Sequence, residues 1–247
     1  MPTRTTLFAT ASVAAVGVAL LLNRQLGRRW GATTREVDAS LPGDDLIPQP
    51  VWETTHGITI RAPARDVWPW LVQMGITRGG WYLSERLDRI VWRIDNPSVD
   101  RIVPELQQLS AGDVVPDSIN GTAHFRVALI EPNRSLVLHS RRHPTTGIWP
   151  DLSAADPGLY LDFSWAFVLD EVDDDTTRLL LRTRAIVMQG RKPAPGWMRL
   201  ALPIADFGDF IYTRQMLRGI RRRVEAHERS RNEQPVELPI PIHTKAG

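Results

Sequence analysis

Residues 160–187, YLDFSWAFVLDEVDDDTTRLLLRTRAIV, read as two strands joined through an acidic tip at Asp173, Asp174 and Asp175. Residues 124–140, HFRVALIEPNRSLVLHS, read as two more around an EPNR turn. Arms paired through so few residues commit a chain to an antiparallel sheet, because parallel strands need a long crossover. The acidic tip resembles a calcium loop only superficially, since the glycine and the later glutamate of that motif are missing. It reads as a solvated turn.

The rest of the chain supplies helices at both ends of this sheet. Residues 54–62 alternate Ile58, Ile60 and Ala62 with Thr59 and Arg61, the period of a half-buried strand. Pro63 then suits a helix start, and Val67, Trp68, Leu71, Val72 and Met74 recur at helical spacing until Gly75. Pro69 falls inside that pattern and removes a backbone donor, so two short helical pieces are expected. Gly79 and Gly80 form a turn before a short helix carrying Trp81, Tyr82, Leu87 and Ile90, and AGDVV at 111–115 reads as a further strand. A long closing helix has an apolar stripe of Phe210, Thr213, Leu217, Ile220 and Val224, with Arg218, Arg221, Arg222 and Arg229 on its other faces. Strand, broken helix, antiparallel strands and terminal helix make an α+β order.

Residues 7–22, LFATASVAAVGVALLL, stand apart as an uncharged apolar run. A helix over about 5–23 would be roughly 28 Å long, just enough to cross a bilayer. No small-x-small cleavage site follows it, so an uncleaved anchor over 1–30 is expected. Arg24, Arg28 and Arg29 after the run outweigh Arg4 and the terminal amine before it, which puts the main domain on the cytoplasmic side of a single-pass membrane protein. Residues 31–50, rich in turn formers and acids, read as a linker; 51–230 as the domain; and 231–247, rich in proline, as a flexible tail. A net charge of +2 is too small for a nucleic-acid binder, and the absence of cysteine excludes disulfides, thiolate metal sites and thiol nucleophiles.

The runs ITIRAPARDVWPWLVQMGITRGGWY, VALIEPNRSLVL, SWAFVLDEVDDDTTRLLLRTR and FIYTRQMLRGIRRRVE together resemble the SRPBCC superfamily, the START-like, polyketide cyclase-like helix-grip proteins. The resemblance covers roughly residues 51–230. It implies a curved antiparallel sheet wrapped around the C-terminal helix with a cavity between them, and a bent helix near Pro69 supporting one end of the sheet. Pocket walls on that reading are Trp70, Met74, Trp81, Tyr82, Phe125, Phe163, Trp165, Phe207 and Phe210. The departures are the N-terminal anchor, a stretch resembling an insert at 94–110, and a loop at 143–158 whose Trp149 suits either a lid or a plain surface loop.

Motifs narrow the chemistry. There is no G-x-S-x-G elbow and no phosphate-binding glycine loop. His139 and His143 have the spacing of a helical metal pair, yet His139 lies in a predicted strand and His143 precedes Pro144, so no metal and no cofactor are expected. Arg182 and Arg184 lie opposite Leu179, Leu181, Thr183 and Ala185 on one strand. They face outward if the apolar face lines the cavity, and otherwise could hold a carboxylate or enolate. Three functions are compatible: binding of a small hydrophobic or lipid-like ligand without covalent chemistry; cyclase or aromatase chemistry by proton transfer, with His124 or Glu85 as acid or base; and a partner-binding module with a closed cavity.

Overall fold

The computed structural model describes residues 27–84, 86, 89, 98–197 and 202–233. Its elements in chain order are α1 (Thr34–Asp38), β1 (Trp52–Ile60), α2 (Ala64–Val72), β2 (Val114–Pro116), β3 (His124–Glu131), β4 (Ser135–Arg142), β5 (Leu159–Asp173), β6 (Thr176–Gln189), β7 (Lys192–Pro193) and α3 (Leu202–Glu233). The strands form one seven-stranded sheet ordered β1-β6-β5-β4-β3-β2, with β7 on β6 and antiparallel pairing throughout. The apolar run at 7–22, and with it the expected anchor, lies outside the described residues, as do Glu85 and the tail from residue 234. Among the described residues no helix is long and apolar enough to cross a membrane.

The register lines up the inner face of the sheet in rows. Ile58, Leu179 and Leu169 make one; His56, Leu181, Phe167 and Leu136 the next; then Thr54, Thr183, Trp165 and Leu138; then Trp52, Ala185, Phe163 and Ser140. α3 lies against this face, burying Met216, Leu217, Ile220 and Val224, while α2 adds Val67, Trp70 and Leu71 to the same core. Sheet, α2 and α3 thus enclose one apolar interior, which is the helix-grip arrangement.

Two elements differ from expectation. α2 is one nine-residue helix with Pro69 inside it, not two pieces. The helix stops three residues later, so the proline removes a single hydrogen bond, and the complete burial of Val67, Trp70 and Leu71 holds the segment together. Residues 81–84 are irregular rather than helical, with Tyr82 at a φ of 59°. Its amide donates to Ser98 Oγ at 2.9 Å and its hydroxyl to the Trp70 carbonyl at 2.8 Å, and those two bonds hold the chain where a helix would otherwise begin.

Residues 31–50, expected as a linker, are folded onto the outer face of the sheet. The preceding residues cap the free edge of β1: Thr55 and Gly57 donate their amides to the carbonyls of Arg28 and Trp30. Gly31 turns the chain away at a φ of 70°, where an added Cβ would lie 2.1 Å from the Gly57 carbonyl oxygen. α1, capped by reciprocal Thr33–Glu36 bonds, then sits above β6. Arg182 rises from β6, 3% exposed, and donates to the carbonyls of Glu36, Val37 and Ala39, to Asp44 Oδ2 and to Thr55 Oγ1. The carbonyls that end a short helix have no partner of their own, and the guanidinium supplies one to each. Arg178 pairs with Glu36 and Arg184 with Glu53, each at 2.7 Å. The three arginines therefore face outward, away from the cavity.

Candidate ligand-binding pocket

The inner positions of β6 change size along the strand: Leu179 and Leu181, then Thr183 and Ala185. α3 changes in parallel, from Met216, Leu217 and Ile220 near its middle to Ala205 and Asp209 near its start. Where both are large the core is closed. Where both are small a pocket of about 360 Å³ remains, lined by Trp52, Leu161, Phe163, Trp165, Thr183, Ala185 and Val187 from the sheet, with Leu202, Ala205 and Asp209 from α3 and Pro144 from the 143–158 loop. That volume lies in the range of small-molecule sites.

The pocket floor is continuous with an aromatic core. Trp165 packs on Phe125 at 4.9 Å, on Trp81 at 5.3 Å and on Tyr212 at 5.9 Å between ring centroids. Arg142, also a lining residue, lies 4.6 Å over the Phe163 ring and pairs with buried Asp117 at 2.5 Å. Its charge is thus already matched by a carboxylate.

One wall is polar. Asp209, its side chain 8% exposed, accepts from the Thr54 hydroxyl at 3.0 Å and from the Thr213 hydroxyl at 3.2 Å. His56 lies behind it, Nδ1 standing 3.8 Å from Asp209 Oδ2, while Nε2 meets the Gly27 carbonyl at 2.6 Å. A carbonyl only accepts, so Nε2 carries the proton and Nδ1 presents a lone pair toward the carboxyl. Burial pushes the Asp209 carboxyl up to about 7, reinforced by neighbouring Asp206 and opposed by the two threonine hydroxyls and by Arg28. Burial also pushes the His56 imidazole down to about 4, against the Gly27 hydrogen bond. Between about pH 4 and pH 7 the pair is therefore a neutral acid facing a neutral imidazole rather than an ion pair. Asp206 is held separately, accepting from Arg28 Nε and Trp52 Nε1, both at 2.6 Å.

These two groups pull stability in opposite directions. His56 binds a proton more readily unfolded, so between about pH 4 and its ordinary 6.5 its contribution is lost as pH falls. Asp209 binds a proton more readily folded, so from its ordinary 3.8 to about 7 its contribution is lost as pH rises. Within the shared window the slopes cancel. Asp209→Asn leaves only the His56 slope: urea unfolding is expected to show the variant losing stability relative to the parent, by up to about 1.4 kcal/mol per pH unit, from pH 6.5 toward 4.5. Parallel curves for the two proteins would refute the pairing.

The residues expected to wall the cavity separate into three groups. Phe163 and Trp165 line the pocket. Trp70, Met74, Trp81, Tyr82 and Phe125 are fully buried in the core and are not among the residues that line this pocket. Phe207 is 58% exposed, while Phe210 is half-buried beside Gly27 under the Arg214 guanidinium. Of the acid–base candidates, His124 stacks on Trp149 at 4.6 Å away from the pocket lining, and Glu85 lies outside the described residues. The stacked Trp149 also receives Arg126 at 5.5 Å, which pins the 143–158 loop to β3. His139 pairs with Asp162 at 2.5 Å, and among the described residues no group of three or more His, Asp or Glu is placed to hold a metal. Asp209 and His56 are the acid and base that reading by motif passed over. The trace of Asp209 in the sequence is a carboxylate four residues before Thr213, on the stripe that continues through Leu217 and Ile220.

No family model matches the chain, and no curated protein matches it in sequence. Solved structures similar to it include a protein from Mesorhizobium loti, 16% identical, covering 71% of this chain and 98% of that one with a TM-score of 0.37. The di-domain ARO/CYC BexL from the BE-7585A biosynthetic pathway is 13% identical, covering 71% of this chain and 47% of that one with a TM-score of 0.41. A norcoclaurine synthase point mutant from Thalictrum in complex with a transition-state analogue is 12% identical, covering 73% and 98% with a TM-score of 0.36.

Proposed function

We propose that the protein is a membrane-tethered binding protein of the SRPBCC kind that takes a small hydrophobic or lipid-like ligand between its sheet and α3 without covalent chemistry. The observation that carries this reading is the pocket itself: about 360 Å³ with mostly apolar walls, reached at the end of α3 where small side chains replace large ones. The apolar run at 7–22 and the arginines after it support the tether. A closed-cavity partner module fits poorly with a pocket of this size. Proton transfer on a bound substrate is a second reading, favoured by one observation: a buried acid, Asp209, on the pocket wall with a neutral imidazole behind it.

Ala205 is exposed at the pocket edge, so Ala205→Trp fills the space with little disturbance to the core. With the full chain in lipid nanodiscs and fluorene as an apolar probe, retention beyond that of empty discs is expected for the parent. It is expected to fall at least roughly tenfold for Ala205→Trp, the loss of about 1.4 kcal/mol of apolar contact. Equal retention by parent and variant would rule out this pocket as the binding site.

A further inference from the structure

Apart from Arg142, which Asp117 pairs, the pocket is polar on one side, and that side is built. Thr183 and Thr54 are paired neighbours on β6 and β1, and Asp209 comes down from α3 to meet them. The Thr183 hydroxyl is buried, lines the pocket and has no hydrogen-bond partner among the described residues. His56 Nδ1 is likewise buried without a hydrogen-bond partner, its 3.8 Å approach to Asp209 being too long for one. A buried polar atom left unpaired is unfavourable by roughly 1–3 kcal/mol, and a wall holding two of them around a carboxyl group is unusual for a site that takes only hydrocarbon.

We infer that Asp209 and Thr183 together recognise a hydrogen-bond acceptor at one end of the ligand, so that the ligand class is a ring-bearing or chain-bearing apolar molecule with a neutral carbonyl oxygen. This rests on the pocket-binding reading above and specifies its ligand. Both oxygens of Asp209 already accept from threonine hydroxyls, so what the group still offers is its own O–H, directed to an acceptor. Thr183 offers a second O–H beside it. An anionic ligand is disfavoured: the neighbouring Asp206 is acidic, and Arg142, the cation lining the pocket, is occupied by Asp117. Besides burial, the groups that act on the protonation of Asp209 are Asp206 and Thr213 on α3, Thr54 on β1 and Arg28 of the N-terminal segment, with the His56 ring of β1 facing it at 3.8 Å. As pH rises past about 7 the acid ionises and the donor is lost.

The test compares fluorene with 9-fluorenone, which share a ring system and differ in the carbonyl, using the full chain in nanodiscs and the ratio of the two retentions, in which partition into lipid cancels between variants. At pH 6 the ketone is expected to be held roughly tenfold more tightly, the effect of one buried hydrogen bond. The preference is expected to shrink toward unity at pH 8.5, to persist at both pH values in Asp209→Asn, whose amide still donates, and to fall severalfold in Asp209→Leu, where the Thr183 hydroxyl is the donor left. Equal retention of the two probes by the parent at pH 6 overturns this inference and leaves the apolar pocket standing. A preference undiminished in Asp209→Leu overturns it as well. Retention of neither probe overturns the pocket reading, and this inference falls with it.

Discussion

Arg182→Ala is expected to destabilise the domain by about 4 kcal/mol and to release residues 34–46 to proteolysis under conditions where the parent chain is resistant. The guanidinium is 3% exposed and donates to five oxygens, two of them carbonyls of α1, one the carbonyl of the following Ala39 and one the Asp44 carboxylate. Removing one member of a buried charged network leaves the others desolvated, which typically destabilises by about 3–5 kcal/mol. α1 is only five residues long and buries no side chain of its own, so without Arg182 the Arg178–Glu36 pair is the main contact left to hold it on the sheet. Arg231, paired with Asp66 and 48% exposed, is the contrast: its replacement by alanine is expected to shift stability by less than about 1 kcal/mol. Urea unfolding of the two variants, with limited proteolysis across 31–50, decides the matter. Similar small effects for both would mean that α1 is held by something other than Arg182.

Gly219→Ala should be destabilising by about 3 kcal/mol although alanine is the better helix former. Gly219 lies inside α3 against residues 80–83, and a Cβ there would lie 1.8 Å from the Tyr82 carbonyl oxygen. Tyr82 cannot retreat, being tied to Ser98 through its amide and to Trp70 through its hydroxyl, with the Arg223 guanidinium 5.0 Å over its ring. The substitution therefore pushes α3 off the core, next to the buried Ile220. Gly208, in the same helix with no atom within 4 Å of its would-be Cβ, gives the opposite sign: Gly208→Ala is expected to be neutral or stabilising by up to about 1 kcal/mol. Thermal melts of the two alanine variants test the contrast, and a Gly219→Ala protein as stable as the parent would show that α3 does not pack as closely as described.

Much of the architecture was readable residue by residue. The alternation in β5 and β6 names both the hairpin and the inner face, since Leu179, Leu181, Thr183 and Ala185 repeat every second residue while Arg178, Arg182 and Arg184 take the other side. The stripe of Thr213, Leu217, Ile220 and Val224 likewise identifies the helix that covers that face. Periodicity is a local property, so a local pattern suffices to reveal it.

The site was less legible. Trp81 and Trp165 have the same chemistry, yet one is closed core and the other pocket floor, and the difference is how much space α3 leaves above each. The partners of Asp209 on β1 are Thr54, 155 residues away, and His56; those of Arg182 in the folded 31–50 segment are about 140 residues away. A stretch of turn formers and acids looks like a linker until the arginines that hold it are placed across from it. The sequence alone determined which residues alternate and which face is apolar, because each depends on neighbours a few positions apart. Only the tertiary structure decided which aromatics border space, which acid is buried and neutral, and which arginines are structural, because solvent exclusion and charge pairing depend on distances the chain sets only after it has folded.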